Sequence, residues 1–291
     1  MTATDRGGLA VPTFSTPAPI ELRVRLGGGE VAIVAEARAD TEVDVQPCNP
    51  ASRADVEMAE ATTVDHRDGV VTVEAPGRNG WRFGRSGSIA VRVALPEGSA
   101  VHVDAASADV TSEGRLGSVE ATTASGDVEI EHAEVLSIKT ASGDVVARHA
   151  DGDVSLGTAS GEIWVVEVGG DAQLSSASGD VHVGHAGGDV GIKTASGDAL
   201  VDDVEGSVTA KTASGDAEVR RVRRGTVAFD TASGDLSVGI VEGTAAWLDV
   251  QSLTGKVHTS LNDADGPVEG GDTVRIRART ISGDVSITRA S

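Results

Sequence analysis

The acidic residues that recur along this chain are its most conspicuous candidates for chemistry. Seven of them, within residues 125–235, follow a Ser-Gly pair: Asp127, Asp144, Glu162, Asp180, Asp198, Asp216 and Asp235. Carboxylates stacked ~5 Å apart repel by roughly 1 kcal/mol in water, so something must offset the repulsion. One interpretation is an Asx-type turn, in which each carboxylate accepts nearby backbone N–H groups. The other is a row of calcium sites, but the Gly-Gly-x-Gly-x-Asp signature is missing from the sequence. We predict structural corners without a metal and leave calcium as the alternative.

A second set of ionisable residues lies five positions beyond these corners. It comprises His132, His149, Glu167, His185, Asp203 and Arg221. Histidines and carboxylates are zinc ligands, and this grouping raises a zinc hypothesis. Side chains that leave successive turns in parallel do not converge, however, and a tetrahedral site needs convergence. We therefore expect solvated corner residues that bind no metal, and we take His132, His149, Glu167 and His185 as part of a candidate interaction surface.

The few aromatic residues are the remaining candidates for contact. The chain holds three Phe, three Trp and no Tyr, too few for a base-stacking or sugar-binding platform. Trp164 occupies an outward position, where it either contacts a partner or lies under its neighbours. Trp81 and Phe83 lie in the basic loop 77–85, which is either a partner-binding loop or a plain hairpin tip. We add these three residues to the candidate interaction surface.

Nothing in the sequence matches a catalytic or cofactor-binding motif. The chain has no G-x-S-x-G, H-E-x-x-H or phosphate-loop pattern. Gly27-Gly28-Gly29 joins two strand-like runs without a following helix, so we interpret it as a hairpin turn. Cys48 is the single cysteine, which excludes an internal disulfide and predicts a buried thiol. We predict no catalytic residue and no cofactor.

The charge balance restricts the partners. With 45 acidic and 24 basic side chains the net charge is −21, which disfavours nucleic acid and anionic membranes. We expect a protein partner and leave the oligomeric state open. No apolar run reaches the length of a membrane span, and the opening residues lack a secretory apolar region. We expect the cytoplasm, with the cell surface as the alternative.

The elements that position these residues follow from an internal repeat. From Ser107 to Ser233 the Ser-Gly-Asp corners, including a degenerate first copy, recur every 17 to 19 residues. Each repeat holds two short segments of alternating apolar residues, which indicates two strands and two turns. Fixed repetition of this kind predicts an all-β fold, a parallel β-solenoid with about 18 residues per coil. The handedness stays open.

The alternation also predicts which side chains form the core. One inward column is Val128, Val145, Ile163, Val181, Ala199, Ala217 and Leu236, and a second is Ile130, Ala147, Val165, Val183, Val201, Val219 and Val238. A column of hydroxyls, Thr123, Thr140, Thr158, Ser176, Thr194, Thr212, Thr231 and Thr280, is predicted to form a hydrogen-bonded ladder.

The repeat divides the chain into four regions. We predict a disordered start over 1–11, a β-rich N-terminal cap over 12–105, regular coils over 106–240, and irregular coils with a cap over 241–291. The cap is expected because the open end of a solenoid exposes unpaired strand edges. Residues 54–62 are the best short helix candidate.

The Thr-Ala-Ser-Gly-Asp-Val type corners between Thr123 and Leu236 resemble those of a known family. The runs 12–17, 245–250 and 272–280 support the same resemblance. The family comprises bacterial β-strand-repeat proteins labelled "putative adhesins", relatives of the toast-rack solenoids, and the chain resembles actinobacterial members most. The resemblance implies a β-solenoid and carries over no catalytic residue. The label itself suggests the cell surface.

Three functional hypotheses follow from the sequence. We favour a non-enzymatic scaffold or interaction module, because long flat faces occur without a catalytic constellation. A surface adhesin-like protein is the first alternative, and a cation-binding or carbohydrate-active β-helix is the second.

Overall fold

The computed structural model describes residues 11–76, 87–261 and 271–290. The chain forms two compact units, Met1–Arg148 and His149–Ser291, here called unit 1 and unit 2. Unit 1 contains the helix α1 (Arg53–Ala61) and the strands β1 (Thr13–Ser15), β2 (Glu21–Glu36), β3 (Asp40–Pro47), β4 (Thr63–Arg67), β5 (Val70–Glu74), β6 (Ile89–Pro96), β7 (Ala100–Ser125) and β8 (Val128–Ser142). The division falls within β9 (Val145–Ala150).

Unit 1 combines parallel coils with antiparallel strands. β2 pairs in parallel with β5, β6 and β7, and β7 pairs in parallel with β8. Three pairings are antiparallel, namely β1 with β3, β3 with β6 and β4 with β5. Antiparallel pairs can be joined by short turns, whereas parallel strands need a crossover, and this is why the strands of unit 1 do not follow one period.

The hairpin predicted at Gly27-Gly28-Gly29 is wrong. β2 continues through the three glycines as one strand, with Gly28 in register with Ser107 and Gly29 in register with Ile89. Gly29 adopts a φ of 129°, and a Cβ there would collide with the carbonyl oxygen of Ile89. Glycine is needed here for close approach between strands inside the sheet, and a sequence pattern does not distinguish that need from a turn.

The predicted short helix is present as α1. The side chain of Ser52 caps it by accepting the N–H of Asp55 at 3.4 Å, and the Ser52 hydroxyl donates to the Asp55 carboxylate at 2.9 Å. The same carboxylate accepts the N–H of Ser88 at 3.2 Å and that of Asn49 at 3.1 Å. These bonds, that of Ser88 first, hold the pKa of Asp55 below its ordinary value. Asp55 therefore joins the start of α1 to the segment before β6.

Unit 2 consists of short parallel strands in two stacks. Its strands are β10 (Val154–Thr158), β11 (Ile163–Val168), β12 (Ala172–Ser178), β13 (Val181–Ala186), β14 (Val190–Ser196), β15 (Ala199–Val204), β16 (Val208–Ser214), β17 (Ala217–Val222), β18 (Gly225–Ser233), β19 (Leu236–Ile240), β20 (Ala245–Ser252), β21 (Val257–Thr259), β22 (Thr273–Thr280) and β23 (Val285–Arg289). Alternate strands pair in parallel, and Val181 is in register with Ala199 one repeat later. The predicted parallel solenoid with about 18 residues per coil is confirmed.

The core of unit 2 is aliphatic except for Phe229 and lies between the two stacks. Members of both predicted inward columns, such as Val183 and Val201, are almost fully buried. The facing stack supplies a second set, including Val190, Ile192 and Phe229. In unit 1, Val128 and Ile130 are buried at the corresponding inward positions. The alternation of apolar residues therefore predicted the core correctly.

The last coils of unit 2 are not stacked in the order of the sequence. β22 and β23 pair with β18 and β19, while β20 and β21 pair with the outer sides of β22 and β23. The coil that comes last in the chain therefore lies between two earlier ones. Within the described residues, β20 and β21 form an edge that pairs on one side only.

Candidate functional site

The acidic corners form a hydrogen-bonded ladder between coils. In unit 2 the carboxylate of Asp180 accepts the backbone N–H of Asp198, and that of Asp198 accepts the N–H of Asp216, each at 2.8 Å. In unit 1 the carboxylate of Asp127 accepts the N–H of Asp144 at 2.9 Å. Each of these three carboxylates binds the next coil rather than its own turn, so the local Asx turn predicted at these positions is wrong. Its charge-assisted bond offsets the repulsion along the column.

This corner ladder reaches the edge coil and ends there. The carboxylate of Asp235 accepts the N–H of Asp284, and the carboxylate of Asp284 accepts the N–H of Lys256, each at 2.7 Å. Lys256 occupies the corner position of the edge coil, where it provides no carboxylate for a further coil.

The opposite corners carry a second ladder whose role the sequence analysis missed. The carboxylates of Asp153 and Asp171 accept the N–H groups of Asp171 and Asp189 at 2.9 and 2.8 Å, and Asp189 accepts from Ser207 at 2.7 Å. The Gly-Asp pairs that lie nine residues before the corner glycines at 161, 179 and 197 were the available signal. In both ladders the backbone N–H of one coil donates to an acidic side chain of the neighbouring coil, which joins the two coils.

The hydroxyl column does not form the predicted ladder. Ser176 and Thr280 donate to the carbonyl oxygens of Gly161 and Gly234, at 3.3 and 3.4 Å. Among the described side chains, four buried hydroxyls have no hydrogen-bond partner, those of Thr140, Thr194, Thr212 and Thr231. The hydroxyls of Thr140 and Thr194 lie beside the corner glycines Gly143 and Gly197.

The histidines and acids of the second set alternate along one edge of unit 2. Glu167, His185, Asp203 and Arg221 occupy the same register position in successive coils. Nδ1 of His149 lies 3.1 Å from Oε2 of Glu167, and its Nε2 lies 3.2 Å from Oδ1 of Asp151. Nδ1 of His185 lies 3.6 Å from Oδ2 of Asp203. In unit 1, His132 is in register with Arg115. Donors of this kind suit zinc, and within unit 2 they lie along an exposed edge, where His149 contacts two carboxylates and His185 contacts one.

Trp164 is the centre of a surface that we call the Trp164 face, made of Trp164, Val166, His182, Leu200, Asp202 and Arg220. The Trp164 side chain is 46% exposed, and Val166 beside it on the same strand is 44% exposed. The ring of Trp164 meets the ring of His182 edge to face, with centroids 4.1 Å apart. Nε2 of His182 lies 2.9 Å from Asp202, whose other oxygen accepts Arg220 at 2.7 Å. The exposed indole therefore rests on a fixed polar network.

Only Trp164 of this face was singled out from the sequence. His182 follows Trp164 by 18 residues, and Arg220 follows Asp202 by the same interval. Residues one repeat apart stack on each other in parallel coils, so the period was the signal that could have identified these neighbours. Trp81 and Phe83, the other aromatic candidates, lie outside the described residues.

Cys48 is exposed rather than buried, so that prediction is wrong. It follows the last residue of β3, where the chain leaves the sheet. Partial burial of its thiol, followed by the charges of Glu30 and Asp55, raises the pKa of Cys48 above its ordinary value. A raised pKa leaves less thiolate at neutral pH and makes a poor nucleophile.

A shallow hollow of about 450 Å³ lies on the outer surface of unit 1. It is lined by residues of β2, β5 and β7, among them Arg25, Glu74, His102 and Asp104. Arg25 lies 3.5 Å from Glu74 and 3.6 Å from Asp104, and all three side chains are exposed. Exposed pairs of this kind contribute little energy and do not form an enclosed site.

The fold and the surface together place this chain among the β-solenoid repeat proteins. Its corners carry ladders of polar hydrogen bonds, and its outer faces carry side chains held in place by their neighbours. The model of the Toastrack DUF4097 family matches residues 20–288. The chain therefore belongs to the Toastrack DUF4097 family, as the resemblance of its corners indicated. None of the curated proteins compared with the chain matches it. Among the described residues, no helix is long and apolar enough to span a bilayer.

Solved structures similar to the chain are distant in sequence. A "putative lipid binding protein" of Parabacteroides distasonis is 15% identical, covering 81% of this chain and 98% of its own, with a TM-score of 0.49. A "putative adhesin" of the same species is 16% identical, covering 80% and 98%, with a TM-score of 0.46. A "putative adhesin" of Bacteroides fragilis is 12% identical, covering 95% and 96%, with a TM-score of 0.38. Similarity at this level carries no argument about what this chain binds.

Proposed function

We propose that this protein is a non-enzymatic interaction module that binds a protein partner through the Trp164 face. The proposal rests on one observation: the side chain of Trp164 is exposed to solvent and is also held in place by its neighbours. The indole is 46% exposed, yet its ring is held against His182, which is held by Asp202. A scaffold function follows from the same feature, because stacked coils present such side chains at fixed spacing.

The chemistry of the face suits the centre of a protein interface. Tryptophan and arginine are enriched among the residues that dominate binding energy, and both occur here with the apolar Val166 and Leu200. The network from His182 to Arg220 orders these side chains before a partner arrives. Binding therefore loses less side-chain entropy than it would on a flexible surface. The Asp202–Arg220 pair gives the face both signs of charge, which can fix the orientation of a partner.

Affinity capture from the native host, followed by a binding assay with the purified partner, tests the proposal. Trp164→Ala should weaken binding by about 2 kcal/mol or more, roughly 30-fold in Kd, as expected for a central aromatic anchor. Val135→Ala is the matched control, because Val135 is 43% exposed but lies on β8 in unit 1. Equal affinities for the Trp164→Ala variant and the unaltered protein would refute the proposal.

A second variant tests the role of the network. Asp202→Ala removes the acceptor shared by His182 and Arg220 while leaving the indole in place. We expect weaker binding than in the unaltered protein and stronger binding than in Trp164→Ala. The cellular location stays a prediction, with the cytoplasm first and the cell surface second, and fractionation of the native host distinguishes them.

A further inference from the structure

The edge coil of unit 2, formed by β20 and β21, exposes side chains that are buried everywhere else in the stack. Leu248 is in register with Ile276, and Val257 is in register with Val285. Ile276 and Val285 are fully buried, whereas Leu248 is 42% exposed and Val257 is 48% exposed. The edge coil therefore presents core residues to solvent.

The backbone of β20 is open on the same side. The N–H of Ala245 donates to Asp272 at 3.0 Å, so the odd-numbered residues of β20 face β22. In a parallel ladder alternate residues face opposite neighbours, so Ala246, Leu248 and Val250 direct their N–H and C=O groups away from β22. Within the described residues, no strand pairs with that side. An unpaired strand edge beside exposed core residues is a template for pairing with another strand.

We propose that this edge coil pairs with the edge coil of a second copy of the chain, through antiparallel pairing of β20 with β20. A two-fold axis at Leu248 places the two Leu248 residues opposite each other and Ala246 opposite Val250 of the second copy. Directly opposed residues of an antiparallel pair point to the same face. The inward residues of both copies then meet and extend one aliphatic core across the axis.

The outward residues are complementary in the same arrangement. Trp247 lies opposite Asp249 of the second copy, and Arg275 is in register with Trp247 on the neighbouring strand. The arginine side chain is long enough to approach that carboxylate, whereas within one copy Asp249 pairs with Arg277 at 3.5 Å. Asp249 thus lies near Arg277 of its own copy and, across the axis, near Arg275 of the second copy.

The corner ladder favours this symmetric pairing over continued stacking. Each coil of the ladder offers a carboxylate to the backbone N–H of the next coil, but Lys256 offers none. A further parallel coil would lose that bond. The two-fold arrangement uses the edge coil of both copies and leaves neither of these two edges open for a third copy, which closes this contact as a dimer.

Light scattering during size exclusion and sedimentation velocity, over sub-micromolar to tens of micromolar protein, test the proposal. The unaltered chain should change from the mass of one copy to that of two as concentration rises. Leu248→Asp should abolish the dimer by placing two carboxylates opposite each other. Val250→Pro should abolish it without adding charge, because proline removes an N–H that faces the second copy. Val135→Asp, a change to an equally exposed valine in unit 1, should leave the dimer intact.

Hydrogen exchange gives an independent readout on the same strand. In the dimer the amides of Ala246, Leu248 and Val250 should exchange slowly, and in the Leu248→Asp variant those of Ala246 and Val250 should exchange fast. The amides that face β22 should stay protected in both, which shows that β20 is folded. A monomer at every concentration, or a dimer that survives both variants, would overturn the proposal. Protection of the outward amides in a monomer would also overturn it, because the edge would then be covered within one chain.

Discussion

Substitution of Asp198 separates the charge of the corner ladder from its hydrogen bond. The Asp198 carboxylate accepts the N–H of Asp216 at 2.8 Å, and its own N–H donates to Asp180 at 2.8 Å. Asn keeps an acceptor oxygen in nearly the same place and removes the charge. Ala removes both. The two variants therefore differ mainly by one hydrogen bond.

The magnitudes follow from the coil spacing. At ~4.8 Å, each neighbouring carboxylate repels Asp198 by about 0.9 kcal/mol in water, or about 1.7 kcal/mol for two neighbours before salt screening. A hydrogen bond to a charged acceptor contributes about 1.5–3 kcal/mol, and a neutral one about 1 kcal/mol. We expect Asp198→Asn to change the free energy of unfolding by less than about 1 kcal/mol in either direction. Asp198→Ala should be less stable than Asp198→Asn by about 1 kcal/mol.

Urea unfolding of the three proteins, at low salt and at high salt, measures these differences. Added salt should stabilise the unaltered protein more than Asp198→Asn, because salt screens repulsion between exposed carboxylates. Equal stability of the Asn and Ala variants would refute the inter-coil hydrogen bond. An Asn variant with an unchanged salt response would refute the repulsion.

Three further predictions concern positions that the structure redefined. Thr194→Val should raise the free energy of unfolding, measured in urea titrations, by about 1 kcal/mol, because it removes a buried hydroxyl that has no hydrogen-bond partner. Thr280→Val is the control: it removes a hydrogen-bonded hydroxyl and should not raise the free energy of unfolding. Gly29→Ala should lower the melting temperature and the free energy of unfolding, the latter by about 2 kcal/mol or more, because alanine is strained at this φ and its Cβ collides with β6. Gly27→Ala is the control and should reduce the free energy of unfolding by less, because a Cβ at Gly27 meets open space. The alkylation rate of Cys48 should rise with pH, and the midpoint of that rise should lie above the midpoint of an ordinary thiol, because the raised pKa of Cys48 keeps the thiol protonated. The same midpoint in the folded protein and in the urea-unfolded chain would contradict this prediction.

The sequence by itself determined the repeat, the inward columns and the corners. Period-two alternation states which side chains face inward, and an 18-residue period states that Val181 and Ala199 occupy equivalent places. The alternation and the 18-residue period both reflect a local conformation that is repeated along the chain. Either can be recognised without knowing which coils are neighbours. The outward position of Trp164 between two buried residues followed from the same alternation, and the structure decided that its side chain is exposed.

The tertiary structure alone decided the contacts between coils. The carboxylate of Asp198 could bond its own turn or the next coil, and only the stacking places the N–H of Asp216 within its reach. The stacking order of β20 and β22 is likewise invisible in the sequence, because every parallel strand with the same apolar alternation can pair with any other. Which strands become neighbours is settled by the packing of the whole unit, and that packing left Leu248 at an open edge.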